Sequence, residues 1–233
     1  MARGLLAAAL GLCFVVLCAH GLRPWLGQDA RYPWRVGLIA GVVLTLALAG
    51  LRRHHPFAHL GPANLLTGGR TLVMALIAGV ATAPAPPSTG WALIVLATVG
   101  AVADLFDGPL ARHSGLASAF GARFDMEVDA LVIMALSVLV WRAVPVGPWI
   151  LAAGLLRYAF IAAGWILPWM NGALPPSRRR QTMCVVQIVA LIVCLGPPIP
   201  AAVASVIAAA SLVLLTWSFA VDVRWLHRAA RST

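Results

Sequence analysis

The chain contains no lysine. All 17 of its basic residues are arginine, and only seven carboxylates stand against them in 233 residues. Charged residues of both signs make up 10% of the sequence and apolar ones 61%, with a mean hydropathy of +0.92. So little charge excludes a disordered chain and is far from the composition of soluble domains. Cys13, Cys18, Cys184 and Cys194 all lie inside apolar runs with no paired spacing, which argues against a disulfide framework or a thiolate metal site and reads as core or lipid-facing packing. A net charge of +10 would suit nucleic acid, but the arginines stand at the ends of apolar runs and form no basic face. That is the pattern of membrane flanks, so nucleic acid is not an expected partner. No soluble domain, low-complexity tail or internal repeat is visible.

A bilayer core about 30 Å thick asks for roughly 20 apolar residues per helix. Eight segments meet that need or come near it: 4–20, 34–51, 64–82, 91–112, 121–140, 148–169, 181–195 and 201–223. Pro/Gly-rich breaks at 83–90, 173–180 and 196–200 separate several of them. The expected fold is an all-α polytopic integral membrane protein. Met1-Ala-Arg followed by an apolar run also fits a secretory signal, but no small-x-small cleavage site follows, so 4–20 is expected to be the first span. With the N-terminus inside, Arg3, Arg52, Arg53, Arg112, Arg123, Arg178, Arg179, Arg180, Arg224, Arg228 and Arg231 face the cytoplasm. Only Arg23, Arg31, Arg35 and Arg142 fall on the other side, so both termini are expected inside.

Five of the seven carboxylates crowd into the 26 residues from Asp104 to Asp129: Asp104, Asp107, Asp125, Glu127 and Asp129. At membrane depth each ionised side chain is costly unless paired or solvated, and four aspartates facing one another repel. A bound cation accounts for this most economically. Asp104, Gly108 and Arg112 are four apart on one helix, as are Gly121, Asp125 and Asp129 on the next, so a hairpin of the two presents carboxylates to one cleft. Gly108, Ala111 and Gly121 remove bulk beside them, and Arg112 offers a guanidinium to phosphate oxygens. Oxygen-only ligands favour Mg²⁺ or Mn²⁺, and four carboxylates suffice for two ions. The competing structural reading is an intramembrane salt-bridge network built on Arg112, Arg123 and Arg157.

The same run, D-x2-D-G-x2-A-R-x8-G-x3-D-x3-D, resembles the signature of the CDP-alcohol phosphotransferases at each fixed position and spacing. Asn64-Leu65-Leu66-Thr67 with Arg70 is similar to the segment that opens the first core helix of that family. The resemblance covers residues 60–225, a six-helix core, and implies a domain over 57–233 preceded by two additional transmembrane helices within 1–56. It implies transfer of a phosphoryl-bearing group from a CDP-linked donor to an alcohol with release of CMP. On that resemblance Asp104, Asp107 and Asp125 are ligands of a first Mg²⁺ or Mn²⁺, and Asp104, Asp125 and Asp129 of a second. Asp129 is also the general base. Gly108, Ala111, Arg112, Ser118 and Gly121, with Asn64 and Thr67, line the donor's CDP moiety. The donor is expected to be CDP-diacylglycerol, because bacterial relatives mostly use it and the all-arginine composition points to a bacterial inner membrane. The acceptor is left open among glycerol phosphate, inositol phosphate, serine and choline; a second copy of the chain is a candidate partner.

Other residues have plainer readings. Glu127 points away from the Asp125 and Asp129 face and is expected to pair with Arg123. Arg157, inside the sixth span, needs a partner: an acceptor phosphate or the aspartate cluster. Arg178, Arg179 and Arg180 read as an inside-positive loop, with an anionic acceptor as the alternative. A cation-coupled transporter remains the competing function, and would place its acidic site at the bilayer midplane.

Overall fold

The computed structural model describes residues 2–54, 62–83, 91–114, 119–197 and 199–231, with the side chains of 2–3, 51–54, 62–65, 104–114 and 119–120 outside the description. Among these residues eight α-helices follow one another: α1 (Ala2–Leu22), α2 (Tyr32–His54), α3 (Pro62–Ala81), α4 (Trp91–Ser114), α5 (Ala119–Ala143), α6 (Ala152–Ile166), α7 (Arg178–Cys194) and α8 (Ala201–Arg231). Among the described residues there is no strand. Four stretches are long and apolar enough to cross a membrane: Gly4–Leu22, Tyr32–Gly50, Pro148–Ile166 and Ala201–Arg231. Leu66–Ala81 and Trp91–Ala103 are shorter apolar helices. The eight expected spans are thus eight helices of unequal apolarity. α5 is diluted by Arg123, Asp125, Glu127, Asp129 and Arg142, and α7 has 17 residues beginning with three arginines.

The sixth expected span is interrupted at both ends. Pro148–Leu151 forms a short 3₁₀ turn before α6, and Pro168–Asn171 forms another after it. Proline disfavours helical backbone in the residue before it, and Leu167 is accordingly extended at φ −116°, ψ 90°. In the other direction α8 runs eight residues beyond its expected end at 223, through the polar Arg224, His227, Arg228 and Arg231.

α3 lies at the centre, packed against α1, α2, α4 and α5, while α7 packs on α8, α5 and α4. α2 buries Tyr32, Val36 and Ala40, one turn apart, and shows Trp34, Leu38, Val42 and Leu46 outward. Apolar rows facing outward over a core of Leu136, Leu139, Leu191 and Ala208 fit a lipid surround. Two glycines set the closest helix crossings. A Cβ on Gly79 would stand 2.6 Å from Val36 Cγ2, and one on Gly154 would stand 2.6 Å from Met134 Cα.

The C-terminal end of α3 is tied to its neighbours. The Tyr32 hydroxyl donates to the carbonyl of Leu76 at 3.0 Å, Arg35 Nε to that of Gly79 at 3.3 Å, and Arg142 Nη1 to that of Ala81 at 2.7 Å. The last carbonyls of a helix lack intrahelical donors and carry partial negative charge, so two guanidiniums from α2 and α5 satisfy both needs. Arg35 is itself held by Asp29 and Gln28.

Candidate active site

The N-terminal half of α3 carries Thr67 and Arg70 about one turn apart, both buried. The Arg70 side chain is 3% exposed, and its fork reaches across to α5: Nη1 donates to Asp125 Oδ1 at 2.5 Å and Nη2 to Asp129 Oδ1. One planar guanidinium can bridge two carboxylates only if they share a helix face, which the four-residue spacing of Asp125 and Asp129 supplies. The two carboxylates keep 35% and 17% of their side-chain surface. From α7, the Cys184 thiol stands 3.6 Å from Asp129 Oδ2, a weak donor against an acid. Cys184 is therefore a neighbour of the acidic pair, where the sequence implied plain core or lipid-facing packing.

Thr67, Asp125 and Asp129 thus lie in the N-terminal halves of α3 and α5, and Gly121 stands one turn before Asp125. Asn64, Asp104, Asp107, Gly108, Ala111 and Arg112 fall on α3 and α4, but their side chains lie outside the described residues, as does Ser118 altogether. Among the described residues no group of three potential metal ligands comes together. The pair that is described consists of hard oxygen donors already drawn to one cation. That chemistry fits Mg²⁺ or Mn²⁺.

One expected pairing is corrected. Glu127 pairs with Arg157 of α6 across the helix interface, not with Arg123 on its own helix. Arg123 is exposed, while the guanidinium of Arg157 sits inside a span and needs a partner there. Arg157 accordingly meets neither aspartate of the described pair. The arginine run at the start of α7 is a packing device in two of its three members. Arg179 donates to Asp222, to the Ser218 carbonyl and to the Ser218 hydroxyl, and lies 5.7 Å above the Trp217 ring. Arg180 donates to Asp222 at 3.3 Å and to the Pro175 carbonyl. Arg178 is exposed. Sequence reasoning passed over Asp222 and gave Arg70 no role in charge pairing. The available signal was the rule that an ionisable side chain inside a span needs a partner.

The described residues thus form an all-helical bundle with apolar rows facing outward, in which one buried guanidinium and two carboxylates meet between α3 and α5. The family model described as CDP-alcohol phosphatidyltransferase matches residues 60–218, and the chain belongs to this family. No curated protein and no solved structure matches it. Membership makes the protein a transferase of phospholipid biosynthesis that moves a phosphatidyl group from a CDP-alcohol within a membrane. The family generally depends on a divalent metal.

Proposed function

We propose that the protein transfers the phosphatidyl group of CDP-diacylglycerol to a small alcohol at the cytoplasmic face of a bacterial inner membrane, releasing CMP. The catalytic unit is 57–233, and 1–56 is an added helical pair. The observation that carries this reading is the Asp125–Asp129 pair converging on the Arg70 guanidinium, inside the family's own acidic motif. Asp104, Asp107, Asp125 and Asp129 would hold two Mg²⁺ or Mn²⁺ ions. When bound, these supply charge neutralisation on the diphosphate as CMP departs. Asn64, Thr67, Gly108, Ala111, Arg112, Ser118 and Gly121 hold the CDP moiety, with Arg112 against a phosphate.

The acceptor oxygen attacks the phosphorus that bears diacylglycerol, and the bond from that phosphorus to the CMP oxygen breaks. Asp129 takes the hydroxyl proton as the new bond forms, leaving a phosphodiester lipid and CMP. A site in the N-terminal halves of α3 and α5 serves both a membrane-dissolved donor and a water-soluble alcohol. In the test, purified protein is incubated with CDP-diacylglycerol, Mg²⁺ or Mn²⁺ and each of glycerol phosphate, inositol phosphate, serine and choline, with CMP and lipid product measured. One alcohol is expected to release CMP, and EDTA to stop it. Full activity in excess EDTA refutes the metal reading. Cation-driven uptake into vesicles without CMP release would favour a transporter.

A further inference from the structure

Among the described residues, Arg70 has the least exposed side chain of the arginines paired with carboxylates, at 3%. It cannot lose its proton in a protein interior. It binds one oxygen from each of two carboxylates, Asp125 Oδ1 and Asp129 Oδ1, on a helix other than its own. Two carboxylates one turn apart repel unless a positive charge lies between them, and Arg70 provides that charge from within the chain. An incoming divalent cation meets carboxylates that are already oriented and already partly neutralised. We propose that Arg70 is a positioning residue that holds Asp125 and Asp129 as an internal counter-charge, keeps the metal-free site assembled, and competes with a divalent cation for the pair.

The inference rests on the proposed cation role of these aspartates and goes beyond it. Its consequence is that the cation binds exchangeably: Arg70 removes much of the electrostatic gain that two bare carboxylates would offer. The experiment measures Mn²⁺ affinity by electron paramagnetic resonance of the free ion, with the full-length protein in detergent and no substrate. Thermal unfolding is followed with and without Mn²⁺. R70Q is expected to bind Mn²⁺ at least ten-fold more tightly than the unsubstituted protein. It should melt at a lower temperature metal-free and gain more from added Mn²⁺.

Lysine keeps the charge but reaches one carboxylate at a time. R70K is therefore expected to bind several-fold more tightly than the unsubstituted protein and less tightly than R70Q, and it decides the matter should R70Q fail to fold. Mn²⁺ affinity in these variants equal to or weaker than that of the unsubstituted protein overturns the inference alone. No saturable Mn²⁺ binding to the unsubstituted protein overturns the cation site, and this inference with it.

Discussion

Asp222 is the carboxylate that fastens the start of α7 to α8, and Asp222→Asn isolates the contribution of its charge. The side chain is 8% exposed and accepts from Arg179, which is 21% exposed, and from Arg180, which is 31% exposed and 3.3 Å away. Asparagine preserves the shape and one acceptor oxygen but removes the carboxylate's charge, while the ionised guanidinium still donates. Charged hydrogen bonds contribute about 1.5–3 kcal/mol and neutral ones about 0.5–1.5 kcal/mol, so the Arg179 contact, which keeps one charged partner, loses roughly 1 kcal/mol. The Arg180 contact is long and about a third exposed on the arginine side, and adds less than about 1 kcal/mol. The sum is about 1–2 kcal/mol. Asp222→Leu leaves both guanidiniums without their acid and falls toward the range of about 3–5 kcal/mol for breaking a buried pair. The assay is unfolding in mixed micelles titrated with a denaturing detergent, followed by tryptophan fluorescence. Donor binding is measured beside it. The expected result is lowered stability with donor affinity unchanged. Stability of Asp222→Asn within about 0.5 kcal/mol of the parent, or loss of donor binding in a protein that remains folded, refutes the reading of Arg179 and Arg180 as packing residues.

Two further outcomes are expected. Asp129→Asn retains an oxygen for Arg70 and spares CDP-diacylglycerol binding, while the single-turnover rate falls about 10²–10⁴-fold; Asp107→Ala weakens donor and metal binding directly, and equal loss of donor binding in both variants refutes Asp129 as the base. Gly79→Ala forces a methyl within 2.6 Å of Val36 Cγ2 and 3.0 Å of Tyr32 Cε2, both on fully buried side chains, and costs about 1–3 kcal/mol of overpacking. Val36→Ala in the same chain recovers most of that loss in the detergent titration, and no recovery refutes the contact as its cause.

Helices were legible in the sequence because apolar runs and Pro/Gly breaks are local signals. Their limits failed where chemistry beyond hydropathy acts. Pro168 stopped α6 short of the apolar run's end, and arginines at 178–180 continued α7 into what read as a loop. The acidic motif was legible for the same reason: its residues sit at helical spacing on two adjacent segments. Its partners were not. Arg70 is 55 residues from Asp125, Arg157 is 30 from Glu127 and Arg179 is 43 from Asp222. Intervals of that length carry no periodicity. Arg123 looked the better match for Glu127 only because it is near in sequence, and packing of α6 on α5 supplied a guanidinium with fewer alternatives.

The pairing of Arg70 with α5 also has a dimension in time. A ribosome adding about 5–20 residues per second needs roughly 3–11 s to make the 55 residues that separate Arg70 from Asp125. Through that interval α3 must lodge in the bilayer with its guanidinium still lacking both acids, a state that costs up to about 2.5–3.5 kcal/mol, the value insertion scales assign to a charge at a helix centre. The restraints available first are those made by residues synthesised earlier: Tyr32 on the Leu76 carbonyl and Arg35 on that of Gly79. α1 and α2 thus act during assembly as a nascent cradle for the central helix. Shortening that cradle is expected to lower the yield of inserted protein before it alters any step of the reaction.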